Sequence, residues 1–571
     1  MEKNWVIKEQ GRTEDVQRMQ KELNVTPPIA NLLVQRGINS FELAQAFFRP
    51  DLNRLHDPFL MKDMDKAVER IVRAIRNNER LLVYGDYDVD GTTAVAMVYS
   101  YLKNFVKEID YYIPDRYGEG YGVSVRGIDY AVEHRYHLVI ALDCGIKATE
   151  KIIYASSRGL DFIICDHHNP GAKIPEAVAV LDPKRPDCSY PYKELSGCGV
   201  GFKLLQALQQ SMGKPFEEIL PFLDLVAVSI ASDIVPITGE NRILAYYGLK
   251  QINENPSTGI KAILKISGIE SKEISIEDIV FRIGPRINAA GRMESGRKSV
   301  DLLISSNQGE ALLMGEKINN FNTDRRSVDS NIYQEALAMI RADASLKNRK
   351  STVLFNPAWH KGVIGIVASR LMDDYYRPTI ILTRSNGFAT GSARSVNGFD
   401  LYQAIEECSD LLENFGGHKY AAGLTLKESN LPEFQRRFEQ VVEDTILPDQ
   451  LIPVVEIDTE IKLSDITPAF HKVLKQFRPF GPENMAPVFL TENVADNGEG
   501  KLVGVTGDHL KLSLIQEEDP YKVFPAIAFS QGKKFNKLKK GNSFDICFSV
   551  EENEFRGEVN LQLNIKDIKI D

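Results

Sequence analysis

The segment LLVYGDYDVDGTTA, residues 81–94, runs from an apolar stretch straight into Asp86, Asp88 and Asp90, and Gly91 then opens a helix. Three carboxylates at alternate positions repel one another, and folding alone gives no reason to gather them. A bound divalent cation does, because it offsets the repulsion and prefers oxygen ligands. One Asp at a helix start would complement the helix dipole; three in five residues exceed that need.

Moving outward, HLVIALDCG (137–145) carries Asp143 at the end of its apolar run, and DFIIC (161–165) leads into Asp166-His167-His168. Asp233 follows an apolar stretch in SIASDIVPI (229–237). From about Leu81 to Pro236, apolar strands alternate with amphipathic helices, the pattern of a parallel α/β sheet. Ligands bind at the carboxyl ends of the strands in such a sheet. Asp and His delivered there by three strands point to a dinuclear metal site. Mixed carboxylate and imidazole ligation suits Mn²⁺ best and admits Mg²⁺, while the lack of thiolates argues against zinc. Two such ions hydrolyse phosphate esters. GxSxG, HExxH and GxxxxGK[ST] motifs are all absent.

A length of 571 residues implies two to four domains, and 43% hydrophobic with 26% charged residues is a globular composition. No apolar run reaches the roughly 20 residues of a membrane helix, and the charged N-terminus lacks a signal peptide, so a cytoplasmic protein is expected. Six scattered cysteines without a CxxC pair read as reduced, buried thiols. A net charge of −10 does not exclude nucleic acid, since local Lys and Arg set that affinity.

The reading divides the chain into a helical accessory region (1–60), a catalytic parallel-sheet domain (61–307), a long connecting helix (308–347), a second, substrate-binding α/β domain (348–446) and an OB-like β-barrel (454–571). FRIGPRINAAGRMESGRK (281–298) sets five basic residues against Glu294. It is rich in Gly and Pro, so a phosphate-binding loop is expected there rather than a regular helix. QGKKFNKLKK (531–540) places lysines beside Phe535, a composition that suits single-stranded nucleic acid.

The triplet Asp166-His167-His168, with DYDVDG before it and ASDIVPI after it, resembles the DHH phosphoesterase superfamily. IPDRYGEGYG (113–122), FRIGPRINAAGRM (281–293), WHKGVIGIVASRL (359–371), GSARSVNGFDL (391–401), FGGHKYAAGL (415–424) and RPFGPENMAPVF (478–489) resemble its RecJ branch, from about residue 60 to the end. The second α/β region is similar to the DHHA1 domain. The resemblance implies that Asp88, Asp90, Asp143, His167 and Asp233 ligate the metals. Asp86 would support them, Asp166 would orient the histidines, and His168 would stand beside the reacting phosphate. Tyr84 occupies a position where small DHH phosphatases have a histidine ligand, which favours a nuclease. Arg286 and Arg292 would hold the 5′ phosphate, and Ser392 and Arg394 are further substrate-binding candidates, with Arg394 on a phosphate. Gly416-Gly417-His418 would form a tight turn facing substrate, or a plain helix start.

The implied activity is 5′ to 3′ degradation of single-stranded DNA to 5′-mononucleotides, in recombination and repair. The implied partners are a RecQ-type helicase and a single-strand-binding protein, acting with a monomer. The rival readings are a phosphodiesterase of short oligonucleotides or cyclic dinucleotides, an inactive single-strand-binding relative, and a metabolic pyrophosphatase.

Overall fold

The structure is a computed structural model that describes residues 2–570 except 518, 539–541, 556 and 557. The chain divides into two compact units, one of residues 50–328 with 479–484, the other of 1–49, 329–478 and 485–571.

The first unit is built on the five strands expected from the apolar runs: β1 (Leu81–Gly85), β2 (Ile109–Tyr112), β3 (Leu138–Leu142), β4 (Asp161–Cys165) and β5 (Ala179–Leu181). They pair in the order β2-β1-β3-β4-β5, all parallel. Both β1 and β3 are buried along their whole length, which is why they read as unbroken apolar runs. The strand order reverses direction between β1 and β3, and a sheet of this order opens a crevice at that point. Helices α1 (Val89–Leu102), α2 (Gly197–Ser211) and α3 (Leu223–Ser232) pack around it into one apolar core. The Asp88 side chain caps α1 by accepting the Gly91 amide, and Ser196 caps α2 by accepting that of Gly199.

The segment expected as an irregular loop is helical. A π-helical turn, Ile279–Ile283, runs into α4 (Gly284–Met293). Pro285 directly follows this π turn, in which the Gly284 amide donates to the Ile279 carbonyl, so the hydrogen-bond ladder shifts just where the proline has no amide to give and the helix continues. The long helix α5 spans Gln308–Ala342.

In the second unit, a five-stranded mixed sheet is formed by Thr352–Phe355, Thr379–Ser385, Phe388–Arg394, Leu412–His418 and Ala421–Leu426, with helix α6 (Ile364–Tyr375) beside it. A seven-stranded sheet between Thr459 and Lys569 closes on itself, because Phe489–Asp496 pairs with both Phe544–Phe555 and His509–Gln516. This is the barrel read from the alternating C-terminal runs. Residues 1–60 are not purely helical: Asn4–Ile7 is a strand paired in parallel with Val454–Ile457. All six cysteines are buried and unpaired. No described helix is long and apolar enough to cross a membrane.

Candidate metal centre and phosphate-binding residues

Each strand of the switch point ends where its chemistry begins. Gly85 closes β1 and Asp86 follows; Leu142 closes β3 and Asp143 follows; Cys165 closes β4 and Asp166 follows. Asp233 arrives from another direction as the C-terminal cap of α3. Asp143 and Asp233, together with Asp90 from α1, converge on the imidazole of His167. Its Nε2 lies 3.2 Å from Asp143 Oδ1, 3.5 Å from Asp233 Oδ2 and 3.7 Å from Asp90 Oδ2. The potential ligand atoms of Asp90, His167 and Asp233 all lie within 4.8 Å of one another, and so do those of Asp143, His167 and His168.

The carboxylates are held differently. Asp90 is fully engaged: Oδ1 accepts the Cys198 amide and the Ser229 hydroxyl, each at 2.7 Å, and Oδ2 accepts the Gly197 amide at 2.7 Å. The N-terminus of α2 and the body of α3 are thus tied to one side chain of α1. Asp143 is the opposite case. It is buried in the left-handed backbone region at φ 58°, and neither of its carboxylate oxygens accepts a hydrogen bond. Neither ring nitrogen of the buried His167 has a hydrogen-bond partner either.

Burial, with the charges of Asp90 and Asp88 beside it, pushes Asp143 well above the usual carboxylate range. Burial and the same two neighbours push Asp233 up to about 8. Burial raises Asp88 too, with Asp90 adding to it. His167 is shifted the other way, since burial disfavours its charge, and this leaves the neutral imidazole that a metal requires. Buried polar atoms without partners are rare and costly. Here they face one another inside a ring of like charge, and a divalent cation with oxygen and nitrogen preference satisfies both deficits. The donor set therefore fits divalent metal ions.

Asp166 is a second kind of anchor. Its Oδ1 accepts the His167 and His168 amides at 2.8 and 3.2 Å and faces His168 Nδ1 at 2.7 Å, while Oδ2 accepts the Ile146 amide at 2.9 Å. Burial works against its charge, but the His168 contact outweighs it and holds Asp166 at about 2. Burial likewise opposes a charge on His168, and Asp166 pushes it up to about 9. Asp86 accepts the Tyr87 amide at 2.6 Å and the Gly122 amide at 2.7 Å. Tyr84, the departure from the small-phosphatase pattern, is a core residue whose hydroxyl donates to the Gly122 carbonyl at 3.0 Å.

Arg286 lies on α4, its Nε on Asn319 Oδ1 at 3.0 Å and its Nη1 on the Arg282 carbonyl at 2.7 Å. Burial lowers its pKa, and the nearby charges of Arg326 and Arg282 lower it further, which marks a concentrated positive patch. Arg292, also on α4, accepts the Tyr117 hydroxyl at its carbonyl.

In the other unit, Ser392 pairs across the sheet with Gly423 and Arg394 with Ala421, and these pair in turn with Gly416 and His418. Ser392, Arg394 and His418 therefore share one face of the sheet. Gly365, in the first turn of α6, lies against both the Arg394 and Ser392 side chains. Gly416-Gly417-His418 is not a helix start. It ends a strand and enters a hairpin, where Gly417 at φ 150° leaves no room for a side chain against Ala421 and Ala422. Of the three described lysines in the 531–540 run, Lys534 is taken up by Asp567 at 2.7 Å. Lys539 and Lys540 lie outside the described residues.

Sequence reasoning missed Tyr121, whose hydroxyl lies 3.2 Å from His168 Nε2, and Ser229 on Asp90. It also missed Asp182, which follows β5 as the other acids follow their strands. Asp182 is buried, its Oδ2 has no hydrogen-bond partner, and burial pushes it up to about 7. The strand-end pattern was the signal available for it.

Comparison with known proteins agrees with this geometry. Residues 80–230 match the DHH family N-terminal domain, 348–444 the DHHA1 domain and 457–567 the RecJ OB domain. The chain is 36% identical over 557 residues to the single-stranded-DNA-specific exonuclease RecJ of Bacillus subtilis, covering 97% of this chain and 69% of that protein. It is 31% identical over 564 residues to the protein of the same name from Escherichia coli, covering 95% of this chain and 96% of the other. The crystal structure of RecJ in complex with Mn²⁺ from Thermus thermophilus superposes with a TM-score of 0.85 at 26% identity, over 99% of this chain and 79% of that one. From its strand-end acids to its closed barrel, this chain belongs to the RecJ family of DHH proteins.

Proposed function

We propose that this chain is a single-stranded-DNA-specific exonuclease that hydrolyses phosphodiester bonds from the 5′ end and releases 5′-mononucleotides, in DNA recombination and repair. The observation that carries the hydrolytic part is the cluster around His167, where Asp143 and the imidazole itself are buried without hydrogen-bond partners. Asp88, Asp90, Asp143, His167 and Asp233 would hold two divalent ions, Mn²⁺ ahead of Mg²⁺. When bound, such ions neutralise phosphate charge and activate water as the nucleophile.

The protein's own groups do the rest. Asp90, fixed by three donors, and Asp166, fixed by backbone amides, keep the donor set rigid before substrate arrives. His168, tied to Asp166 through Nδ1, stands beside the reacting phosphate. Arg286 and Arg292 take the 5′-terminal phosphate, and Ser392, Arg394, Gly417 and His418 are substrate-binding residues, with Arg394 on a phosphate. The barrel binds the incoming single strand.

The test is a time course on end-labelled single-stranded DNA with Mn²⁺ or Mg²⁺, beside a duplex, a 5′-blocked strand and an Asp143→Ala protein. Stepwise 5′ degradation of the free single strand, absent in the variant, is the expected result. Tight binding without hydrolysis under either metal would overturn it in favour of an inactive single-strand-binding protein.

A further inference from the structure

His168 meets a partner at each ring nitrogen: Asp166 at Nδ1 and the Tyr121 hydroxyl, 3.2 Å away, at Nε2. The two rings meet edge-on with centroids 5.9 Å apart, and Tyr87 packs against Tyr121 at the same distance. Tyr121 is 49% exposed, so burial does not account for the inward turn of its hydroxyl. Nor does regular structure, since the residue lies in the connection between β2 and the helix Val125–Glu133.

Its neighbour supplies the constraint. The Gly122 amide donates to Asp86 at 2.7 Å, and the Gly122 carbonyl accepts from the buried Tyr84 hydroxyl at 3.0 Å. Asp86 in turn is occupied on both oxygens by backbone amides, those of Tyr87 and Gly122. A carboxylate engaged in this way fastens a loop.

We propose that Tyr121 is a positioning residue for His168, set in place by Asp86 through Gly122; this rests on the reading that His168 stands beside the reacting phosphate. A hydroxyl suits the task because it donates to a neutral imidazole and accepts from a charged one, so the contact survives either protonation state. A carboxylate at Nε2 could only accept. With Asp166 on one nitrogen and Tyr121 on the other, the ring plane is fixed.

The test uses the full Mn²⁺-loaded chain on 5′-labelled single-stranded DNA, comparing Tyr121→Phe, His168→Gln and the double variant. Tyr121→Phe is expected to lower kcat about tenfold, the worth of one hydrogen bond, with KM and Mn²⁺ affinity changed by less than about twofold. In the His168→Gln background it adds nothing further. In the protein loaded with diamagnetic Mg²⁺ instead, the ¹⁵N signal of His168 Nε2 shifts in Tyr121→Phe while its Nδ1 signal stays. Asp86→Asn lowers kcat in the same way, non-additively with Tyr121→Phe, and keeps Mn²⁺.

A wild-type kcat for Tyr121→Phe beside a slow His168→Gln, or fully additive effects, overturns the proposal alone. A wild-type kcat for His168→Gln removes the underlying reading of His168 and the proposal with it. Loss of Mn²⁺ from Asp86→Asn makes Asp86 a ligand and breaks its link to Tyr121.

Discussion

A Cβ atom on Gly197 would lie 2.6 Å from the Cβ of Asp143, while the Gly197 amide donates to Asp90 at 2.7 Å. The first residue of α2 is thus wedged between two of the candidate metal ligands, one gripped by its amide and the other grazing its missing side chain.

Gly197→Ala follows directly. The methyl group must push Asp143 aside, and overpacking of this kind costs about 1–3 kcal/mol. Calorimetric titration with Mn²⁺ should show affinity lower by about tenfold or more, with the exonuclease rate falling in step. Unchanged Mn²⁺ affinity would mean that Asp143 is not a ligand.

Asp143→Asn separates stability from function. It replaces an acid whose ionisation the buried, like-charged site opposes with a neutral amide, so the metal-free variant should be more stable than the parent by about 1–2 kcal/mol, in the range seen when a site is relieved of strain. Mn²⁺ should raise the melting temperature of the parent and leave that of the variant unchanged, because only a state that binds the ion gains from it. Scanning fluorimetry with EDTA and with Mn²⁺ checks both halves.

Asp182 makes stability pH-dependent in a defined direction. Its folded value of about 7 lies above its unfolded value of 3.8, so between those limits the native state holds a proton that the unfolded state lacks. That contribution is fully present below the lower value and is lost as pH rises through the upper one, by at most about 1.4 kcal/mol per pH unit. Asp182→Asn resembles the protonated acid and keeps an acceptor for the Lys184 amide, now at 2.7 Å. In urea titrations of the metal-free proteins, the variant should gain on the parent from pH 5 to pH 8. A constant difference would refute the assignment.

The fully buried pair Lys203–Glu240, at 3.2 Å, closes a polar cluster in which Tyr190 donates to Glu240 at 2.6 Å and Lys203 to the His56 carbonyl at 2.6 Å. Lys203→Met strands the Glu240 charge and should destabilise the parallel-sheet unit by about 3–5 kcal/mol. Adding Glu240→Gln should recover a large part of the loss. Chemical denaturation of the three proteins tests the cycle.

The sheet and the candidate metal cluster were legible because β1, β3 and β4 are continuous apolar runs that stop abruptly at Asp. Such a break exposes both the strand and its chemistry. Asp182 escaped because the Leu-Asp-Pro that follows β5 also reads as a turn. The 284–293 helix escaped because proline was weighed as a breaker, although a π turn just before it carries the helix through. Tyr121 was out of reach in principle. Its contact with His168 spans 47 residues of sequence and depends on the Asp86–Gly122 clamp, which neither periodicity nor motif spacing encodes.

The grip on Asp90 bears on how an inactive protein should be made. An alanine there would remove a candidate ligand and at the same moment orphan two amides of α2, so lost activity could be blamed on a loosened scaffold. The Asp143 carboxylate accepts no hydrogen bond, and its loss leaves no donor stranded. For a trap that binds DNA without cutting it, position 143 is the sound place to intervene and position 90 the misleading one.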